Sequence, residues 1–403
     1  MLSRQSAIEI HGRGFESTLQ RRRRGLGGRA FAVALVLASP LLVAACGSED
    51  GSQGDSSSKA AGSEGSGASA GSGASQSNGS GASAGSGGAP STTSGPSAGG
   101  AGAAGGAGGS SGTGGSGKTV RLIAFGDTGE GNEAQHEVAD RMDEKCASVG
   151  GCDAALLLGD NFYDNGVTGT DDPLWVSDFE QPYDRPNLNT LPFYAVLGNH
   201  DHGPTSSGNK QAQIDYSFLP VGNGPGMRLS DKWHMPFDHY DVQIGDVHVF
   251  ALDTVSFTDE QQQNDMAAKV QASTATWKIV IGHHPRYTSG EHYWDNQALG
   301  FAGLFDFQKA VFCGTDMLLT GHDHNREFID KGRDADCPNT HFVISGSGSK
   351  TRESFEYTPT DDKQLYYEEM TEGYAYLEFT DHTLLFQFID RTGAVNFSKM
   401  ITK

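Results

Sequence analysis

Five short polar blocks, each placed directly after a run of apolar residues, constrain this chain more than any other feature. Each block begins with a glycine and supplies oxygen or nitrogen donors but no thiol, a set that suits hard or borderline metal ions. The ligand sites of open α/β sheets lie at the carboxyl ends of the strands, so the pattern predicts one shared metal site. The blocks are residues 126–129, 159–163, 198–201, 282–285 and 321–324.

Strands and helices alternate along the chain from residue 119. Apolar runs predict strands at 120–125, 154–158, 193–197, 247–252, 277–281 and 317–319, of the buried type found in parallel sheets. Helical spacing predicts helices at 133–145 and 259–275. Strands alone follow at 341–345, 374–379, 384–389 and 395–401, the last three as an antiparallel meander. We therefore expect an α/β fold of stacked, mixed β-sheets flanked by helices.

The amino-terminal third of the chain differs in composition from the rest. Residues 1–46 join a basic start to the apolar run 30–45, which predicts an export signal and is short for a membrane span. Val-Ala-Ala-Cys at 43–46 resembles a bacterial lipobox, so we expect an exported protein, periplasmic or at the cell surface, with a lipid anchor on Cys46. An ordinary secretory signal with an incidental cysteine is the alternative. Residues 47–118 are nearly all Gly, Ser and Ala, which predicts a disordered linker before a catalytic domain at 119–403.

The chain is strongly acidic, and the charge is uneven. The formal charge is −21, and residues 1–45 contribute +5, which leaves −26 for the remainder. This balance argues against nucleic acid as a stable partner, because binding to a phosphate backbone needs a basic surface. Any chemistry on a phosphate group must therefore depend on cations that are placed locally.

Four cysteines follow Cys46. An even number in an exported chain favours disulfides, and four cysteines allow three connectivities. Cys146 and Cys152 flank a turn of five residues, so a local bridge is geometrically easy. The remaining pair, Cys313 with Cys337, would then connect the approaches to two late strands.

In their order, the five blocks resemble the calcineurin-like metallophosphoesterases, and among them the purple acid phosphatases of the small, tartrate-resistant type. Successive lead donors are 33, 39, 84 and 39 residues apart, and the resemblance covers about residues 119–403. It implies a four-layer αββα sandwich of two mixed β-sheets with a dinuclear metal site at the carboxyl ends of the strands. Tyr163 is the residue that indicates the purple acid phosphatases in particular, because most of their relatives have no metal ligand at this position. Without that ligand the enzyme would be a colourless phosphoesterase with two divalent ions.

The resemblance also implies the metals and their ligands. One ion would be Fe(III) and the other divalent, Fe, Zn or Mn, with Asp160 bridging the two. The phenolate would offset the additional charge of ferric iron. The other expected ligands are Asp127, Tyr163 and His324 for the ferric ion, and Asn199, His283 and His322 for the divalent ion.

Three further residues are candidates for the catalytic machinery. His200 is expected to touch the substrate or to protonate the leaving group, and Asp201 to orient His200 or His283. His292, nine residues after His283, matches by its spacing the second histidine of the family's site.

The resemblance implies metal-dependent hydrolysis of phosphate monoesters, of the acid phosphatase type, with a small phosphoester as substrate. A phosphodiesterase or nucleotide-directed phosphoesterase with the same site is the alternative, because leaving-group preference depends on loops such as 164–190 and 203–236. A surface-tethered binding lipoprotein with an inactive site is disfavoured, since every inferred ligand is present. The sequence does not indicate the oligomeric state.

Overall fold

The computed structural model describes residues 119–203, 209–293, 309–352 and 362–403. The expected signal, the cysteine of the lipobox and the linker all lie outside the described residues. No helix in these four ranges is long and apolar enough to cross a membrane.

The first half of the described chain alternates strands with helices. Its elements are β1 (Val120–Phe125), α1 (Glu133–Ser148), β2 (Ala154–Leu157), a π-helix (Trp175–Glu180), β3 (Phe193–Ala195), α2 (Asn199–His202), α3 (Lys210–Tyr216), β4 (Trp233–His234), β5 (Tyr240–Ile244), β6 (Val247–Ala251) and α4 (Glu260–Ala272). The second half is mostly β. Its strands are β7 (Trp277–Ile281), β8 (Met317–Thr320), β9 (Arg326–Ile329), β10 (His341–Ser345), β11 (Gln364–Glu368), β12 (Gly373–Phe379), β13 (Thr383–Asp390) and β14 (Val395–Thr402).

The described strands form two mixed sheets of seven strands each. The first has the order β14-β13-β12-β1-β2-β3-β4, and the second has the order β11-β9-β10-β8-β7-β6-β5. In the first sheet β1 to β4 run parallel, and β12 continues the sheet antiparallel to β1. In the second sheet β6, β7, β8 and β10 run parallel. Each sheet thus presents several strand carboxyl ends at one edge.

The two sheets pack face to face, with helices on the outside. Trp277 of β7 contacts Phe379 of β12 with ring centroids 5.5 Å apart, and apolar residues of both sheets form one core. On the outer face of the second sheet, Met266 and Val270 of α4 join a separate apolar cluster. α1 covers the first sheet, where Tyr374 donates a hydrogen bond to a carbonyl of this helix. The expected four-layer αββα sandwich is therefore confirmed.

Most predicted elements occur, although several end earlier than expected. β2, β3 and β6 stop one or two residues short of the apolar runs, because the last apolar residues already belong to turns. α4 begins after Asp259, whose carboxylate accepts hydrogen bonds from the backbone N–H groups of Gln261 and Gln262. The sequence did not predict β4, β5, β9, β11, α2, α3 or the π-helix.

Both expected disulfides are confirmed. Cys146 and Cys152 are bonded with their Cα atoms 5.1 Å apart, and Cys313 and Cys337 with theirs 4.6 Å apart. The first bridge closes the turn after α1, and the second connects two segments that precede β8 and β10. Both pairs lie away from the turns that carry the polar blocks.

Candidate metal centre

The lead donors of the five blocks lie in the turns that follow β1, β2, β3, β7 and β8. Hydrogen bonds between the turns hold them together. The N–H of Asp127 donates to the carbonyl of Gly159 at 3.0 Å, and the N–H of Gly321 donates to the carbonyl of His283 at 3.0 Å. Between the sheets, the N–H of His322 donates to Oδ2 of Asp127 at 2.9 Å, so both sheets contribute to one cluster at the edge where their parallel strands end.

Three of the expected ligands have backbone conformations that side-chain-bearing residues rarely adopt. Asp127, Asp160 and His322 have φ values of 56°, 49° and 71°, and they are the non-glycine residues with positive φ in the described ranges. Such conformations cost roughly 1–3 kcal/mol each and persist where the surroundings impose them. Their coincidence at one cluster indicates that the turns are shaped for the placement of these side chains.

One half of the cluster surrounds the phenol of Tyr163. Its Oη lies 3.0 Å from Oδ1 of Asp127, 3.2 Å from Oδ2 of Asp160 and 3.2 Å from Nε2 of His324. All four side chains are nearly or completely buried. The set combines two carboxylates, a phenol and an imidazole.

The other half surrounds the amide of Asn199. Its Oδ1 lies 3.0 Å from Nε2 of His283 and 3.0 Å from Nδ1 of His322. The two imidazoles approach each other to 3.3 Å, and Nε2 of His283 is 3.3 Å from Oδ2 of Asp160. The same oxygen of Asp160 therefore touches both halves, as a bridging ligand would.

The donor separations fit metal coordination. Metal bonds to oxygen and nitrogen are about 2.0–2.2 Å long, so adjacent ligands of one ion lie roughly 3 Å apart. The donor separations in both halves, 3.0–3.2 Å, fall at this distance. Asp127, Asp160 and His283 in addition offer three ligand atoms within 4.8 Å of one another. The residues present therefore fit a metal-binding group.

The electrostatics of the cluster also favour bound cations. Burial raises the pKa of the Asp127 carboxyl well above its ordinary value. Burial, together with the charges of Asp127 and Asp160, likewise raises the pKa of the Tyr163 phenol. Burial alone would lower the pKa of His283, but the charge of Asp160 raises it to about 9. Burial alone would also raise the pKa of Asp160, but the charge of His283 lowers it. Positive charge placed at the cluster thus favours ionisation of its acidic groups.

Two glycines make the close approach of these turns possible. A Cβ atom at Gly198 would overlap the carboxylate of Asp160, and one at Gly321 would overlap the carboxylate of Asp127. Any larger residue would displace a ligand carboxylate. The glycine that begins each of these two blocks thus has a steric role.

The two candidate histidines lie beside the cluster. The His200 ring packs edge-to-face on Tyr163 at 4.6 Å, and its Nε2 is 4.0 Å from Oδ2 of Asp160. Its side chain is 36% exposed, so it can meet a substrate. The His292 ring stacks on His322 with centroids 4.1 Å apart and planes 24° apart.

Asp201 has a different position from the one expected. Its carboxylate accepts hydrogen bonds from the N–H of Gly198 at 2.8 Å, the N–H of Asn161 at 3.0 Å and the amide of Gln213 at 2.8 Å. Among the described residues it makes no hydrogen bond to His200 or to His283. The reason is that Asp201 lies in the first turn of α2 and reaches back to the start of the helix. It secures two ligand-bearing turns rather than orienting an imidazole.

Sequence reasoning also missed the supporting role of Thr254. Its Oγ1 accepts hydrogen bonds from the N–H groups of His283 at 3.1 Å and His284 at 3.0 Å. Its position just after β6 was the available signal. Gln213, which supports Asp201, carries no such signal, because it lies in a short helix inside a segment that reads as a loop.

Comparison with known proteins identifies relatives of this chain. The profile of the calcineurin-like phosphoesterase family matches residues 120–326. Purple acid phosphatase 3 of Arabidopsis thaliana is 29% identical over 308 residues, covering 69% of this chain and 76% of the relative. Tartrate-resistant acid phosphatase type 5 of Homo sapiens is 26% identical over 309 residues, covering 68% of this chain and 88% of the relative.

Solved structures show the same fold. GAP50, the anchor in the inner membrane complex of Plasmodium, aligns with a TM-score of 0.56 at 23% identity, over 70% of this chain and 89% of its own. The purple acid phosphatase PPD1 from yellow lupin (Lupinus luteus) seeds aligns with a TM-score of 0.52 at 17% identity, over 71% of this chain and 54% of its own.

The fold and the buried donor cluster define a metal-dependent hydrolase of phosphate esters. The chain belongs to the calcineurin-like phosphoesterase family.

Proposed function

We propose that this phosphoesterase hydrolyses small phosphate monoesters in the manner of an acid phosphatase, with a dinuclear centre of Fe(III) and one divalent metal, Fe, Zn or Mn. The observation that carries the proposal is the position of Asp160, whose Oδ2 is 3.2 Å from the phenol of Tyr163 and 3.3 Å from His283. One carboxylate oxygen shared by two donor groups supports two ions in one site. The similarity to purple acid phosphatases adds support.

Each ion would be held by a different half of the cluster. When bound, the two ions would supply Lewis-acid activation and neutralise charge on the phosphate group. A phenol as ligand favours a trivalent ion, because a phenolate donates negative charge that offsets the higher cation charge. The proposed ligands are Asp127, Tyr163 and His324 for Fe(III), Asn199, His283 and His322 for the divalent ion, and Asp160 for both.

His200 is the proposed proton donor to the leaving group. Its Nδ1 lies 2.6 Å from the carbonyl oxygen of Asp164. A carbonyl only accepts hydrogen bonds, so Nδ1 carries a proton and Nε2 is the nitrogen directed towards Asp160. To act as the donor, His200 would have to carry a second proton on Nε2, as an imidazolium, and would pass that proton to the leaving oxygen. His292, on the opposite half, is proposed to contact the phosphate group.

A comparison of two substrates tests the preference for monoesters. We expect faster hydrolysis of para-nitrophenyl phosphate than of bis-para-nitrophenyl phosphate, measured as kcat/KM at several pH values below 7. A preference for the diester would replace the proposal by the phosphodiesterase alternative, and no hydrolysis of either ester by metal-loaded protein would refute both.

The colour of the oxidised protein tests the ferric assignment. A phenolate bound to Fe(III) gives a visible charge-transfer band, so we expect a coloured wild type and a bleached or shifted band in Tyr163→Phe. Tyr374→Phe serves as a matched control, because Tyr374 is another buried tyrosine, and its hydroxyl donates a hydrogen bond to the carbonyl of Arg141 in α1. A colourless, active wild type with two divalent ions would contradict the assignment.

We also propose that Cys46 carries a lipid anchor that attaches the protein to a bacterial membrane through the linker 47–118. The support is the sequence Val-Ala-Ala-Cys after a run of apolar residues. We expect Cys46→Ser to move the protein from the membrane fraction to the soluble fraction, while shortening the linker leaves hydrolysis unchanged. Failure of labelled fatty acid to enter the wild type would refute the anchor.

A further inference from the structure

The loop after β7 carries His292 to the metal cluster. The His292 ring stacks on that of His322, and its position depends on the path of the backbone through residues 285–293. This path is not fixed by regular secondary structure. Side chains from neighbouring segments must therefore hold it.

Glu327 of β9 provides one such contact. The residue is 1% exposed, and its Oε2 accepts the N–H of Ser289 at 2.9 Å. Its Oε1 accepts the hydroxyl of Ser289 at 3.0 Å and the amide of Gln364 at 2.5 Å. Both oxygens of one buried carboxylate thus bind the loop through a single serine.

Asp323 provides the second contact. Its Oδ2 accepts the hydroxyl of Thr288, and its Oδ1 accepts the N–H of His292 at 3.4 Å. A Cβ atom at Gly290 would overlap this carboxylate, so the loop lies directly against it. The loop is therefore secured from Thr288 to His292 by two buried carboxylates.

Glu327 is costly as a purely structural residue. Burial raises the pKa of its carboxyl to about 7, because the charged form has lost its hydration. Its hydrogen-bond partners among the described residues are neutral donors of Ser289 and Gln364. The hydrogen bonds from these donors offset the cost of burying the side chain, and those from Ser289 hold the loop.

We propose that Glu327 is the positioning residue for His292: its buried carboxylate fixes Ser289, and through Ser289 the loop that sets the His292 ring against His322. The proposal rests on the proposed phosphatase function. Glu327 would thus contribute to turnover although it contacts neither the proposed metal ligands nor the substrate.

A double-mutant cycle tests the proposal. Glu327→Gln, which preserves the shape of the side chain, should retain both metals and lower kcat by about 10–100-fold, the range found for outer contacts of metal sites. In a His292→Ala background the same change should cost no more than about twofold, the scatter of independent sites. If Glu327→Gln lowers activity by the same factor in both backgrounds, Glu327 does not act through His292 and the proposal is wrong.

Amide hydrogen exchange of the metal-loaded full chain provides a readout that does not need turnover. Glu327→Gln should speed exchange in the peptide that spans 286–293 and leave that of 317–324 unchanged. Glu378→Gln is the matched control, since Glu378 lies on β12 and pairs with Arg121 at the far end of β1; it should change neither exchange nor kcat. Unaltered exchange in 286–293 overturns the positioning role even if the protein proves inactive, whereas an inactive wild type with the expected exchange refutes only the phosphatase proposal.

Discussion

Asp160→Asn is expected to remove both metals and to reduce hydrolysis to the background of the assay while leaving the fold intact. The reason is that one carboxylate oxygen lies against both donor groups, 3.2 Å from Tyr163 and 3.3 Å from His283. An amide in its place brings no negative charge, so each ion would lose an anionic ligand. Metal content after dialysis and activity with para-nitrophenyl phosphate measure the effect.

Asp316→Asn is the control for this variant. Asp316 immediately precedes β8, at the end opposite the cluster, and accepts the N–H of Lys278 at 2.8 Å. The control should keep its metals and its activity. An Asp160→Asn variant that keeps two metals per chain would show that this carboxylate does not bridge them.

His200→Ala is expected to keep both metals and to lower kcat on an alkyl phosphate by about 10²–10⁴-fold, the usual contribution of general acid–base catalysis. The deficit should shrink with para-nitrophenyl phosphate, because its leaving group needs no proton. His292→Ala should also keep the metals and lower kcat. The reason is that the His292 ring stacks on the proposed ligand His322 and is not itself a proposed ligand. Activity on the two esters, measured beside metal content, gives the comparison.

Two outcomes would contradict the role of His200. Loss of metals in His200→Ala would mean that the residue supports the cluster rather than the leaving group. An equal loss of activity on alkyl and nitrophenyl esters would remove the proton donor from the mechanism. His136→Ala, at an α1 histidine near Arg185, is the matched control and should leave both activities unchanged.

The sequence predicted the parts of the fold that depend on continuous apolar runs. β1, β7 and β10 begin and end at the expected residues, because a strand buried on both faces is made mostly of apolar residues. The sequence did not predict β9 because Arg326 and Glu327 interrupt its apolar pattern, although both residues are buried. Their partners, such as Thr371 for Arg326 and Ser289 for Glu327, are distant in sequence. Periodicity cannot reveal buried charges that depend on such contacts.

The candidate site divides in the same way. Each donor stands in a pattern that the sequence shows directly: an apolar strand, then a glycine, then a polar residue. The structure brings together the side chains that this pattern identified. The sequence predicts that Asp201 orients His200 or His283, whereas its carboxylate accepts hydrogen bonds from the backbone N–H groups of Gly198 and Asn161. Adjacency in sequence does not determine which way a carboxylate in a helical first turn points. The role of Glu327 likewise required the three-dimensional structure.

Metal analysis of protein purified without added metal tests the central claim most directly. Elemental analysis, together with hydrolysis of para-nitrophenyl phosphate before and after treatment with a chelator, should give about two metals per chain, one of them iron, and activity that disappears and returns with the metals. A stoichiometry near zero or one in active protein, or hydrolysis that survives complete removal of metal, would contradict the dinuclear centre.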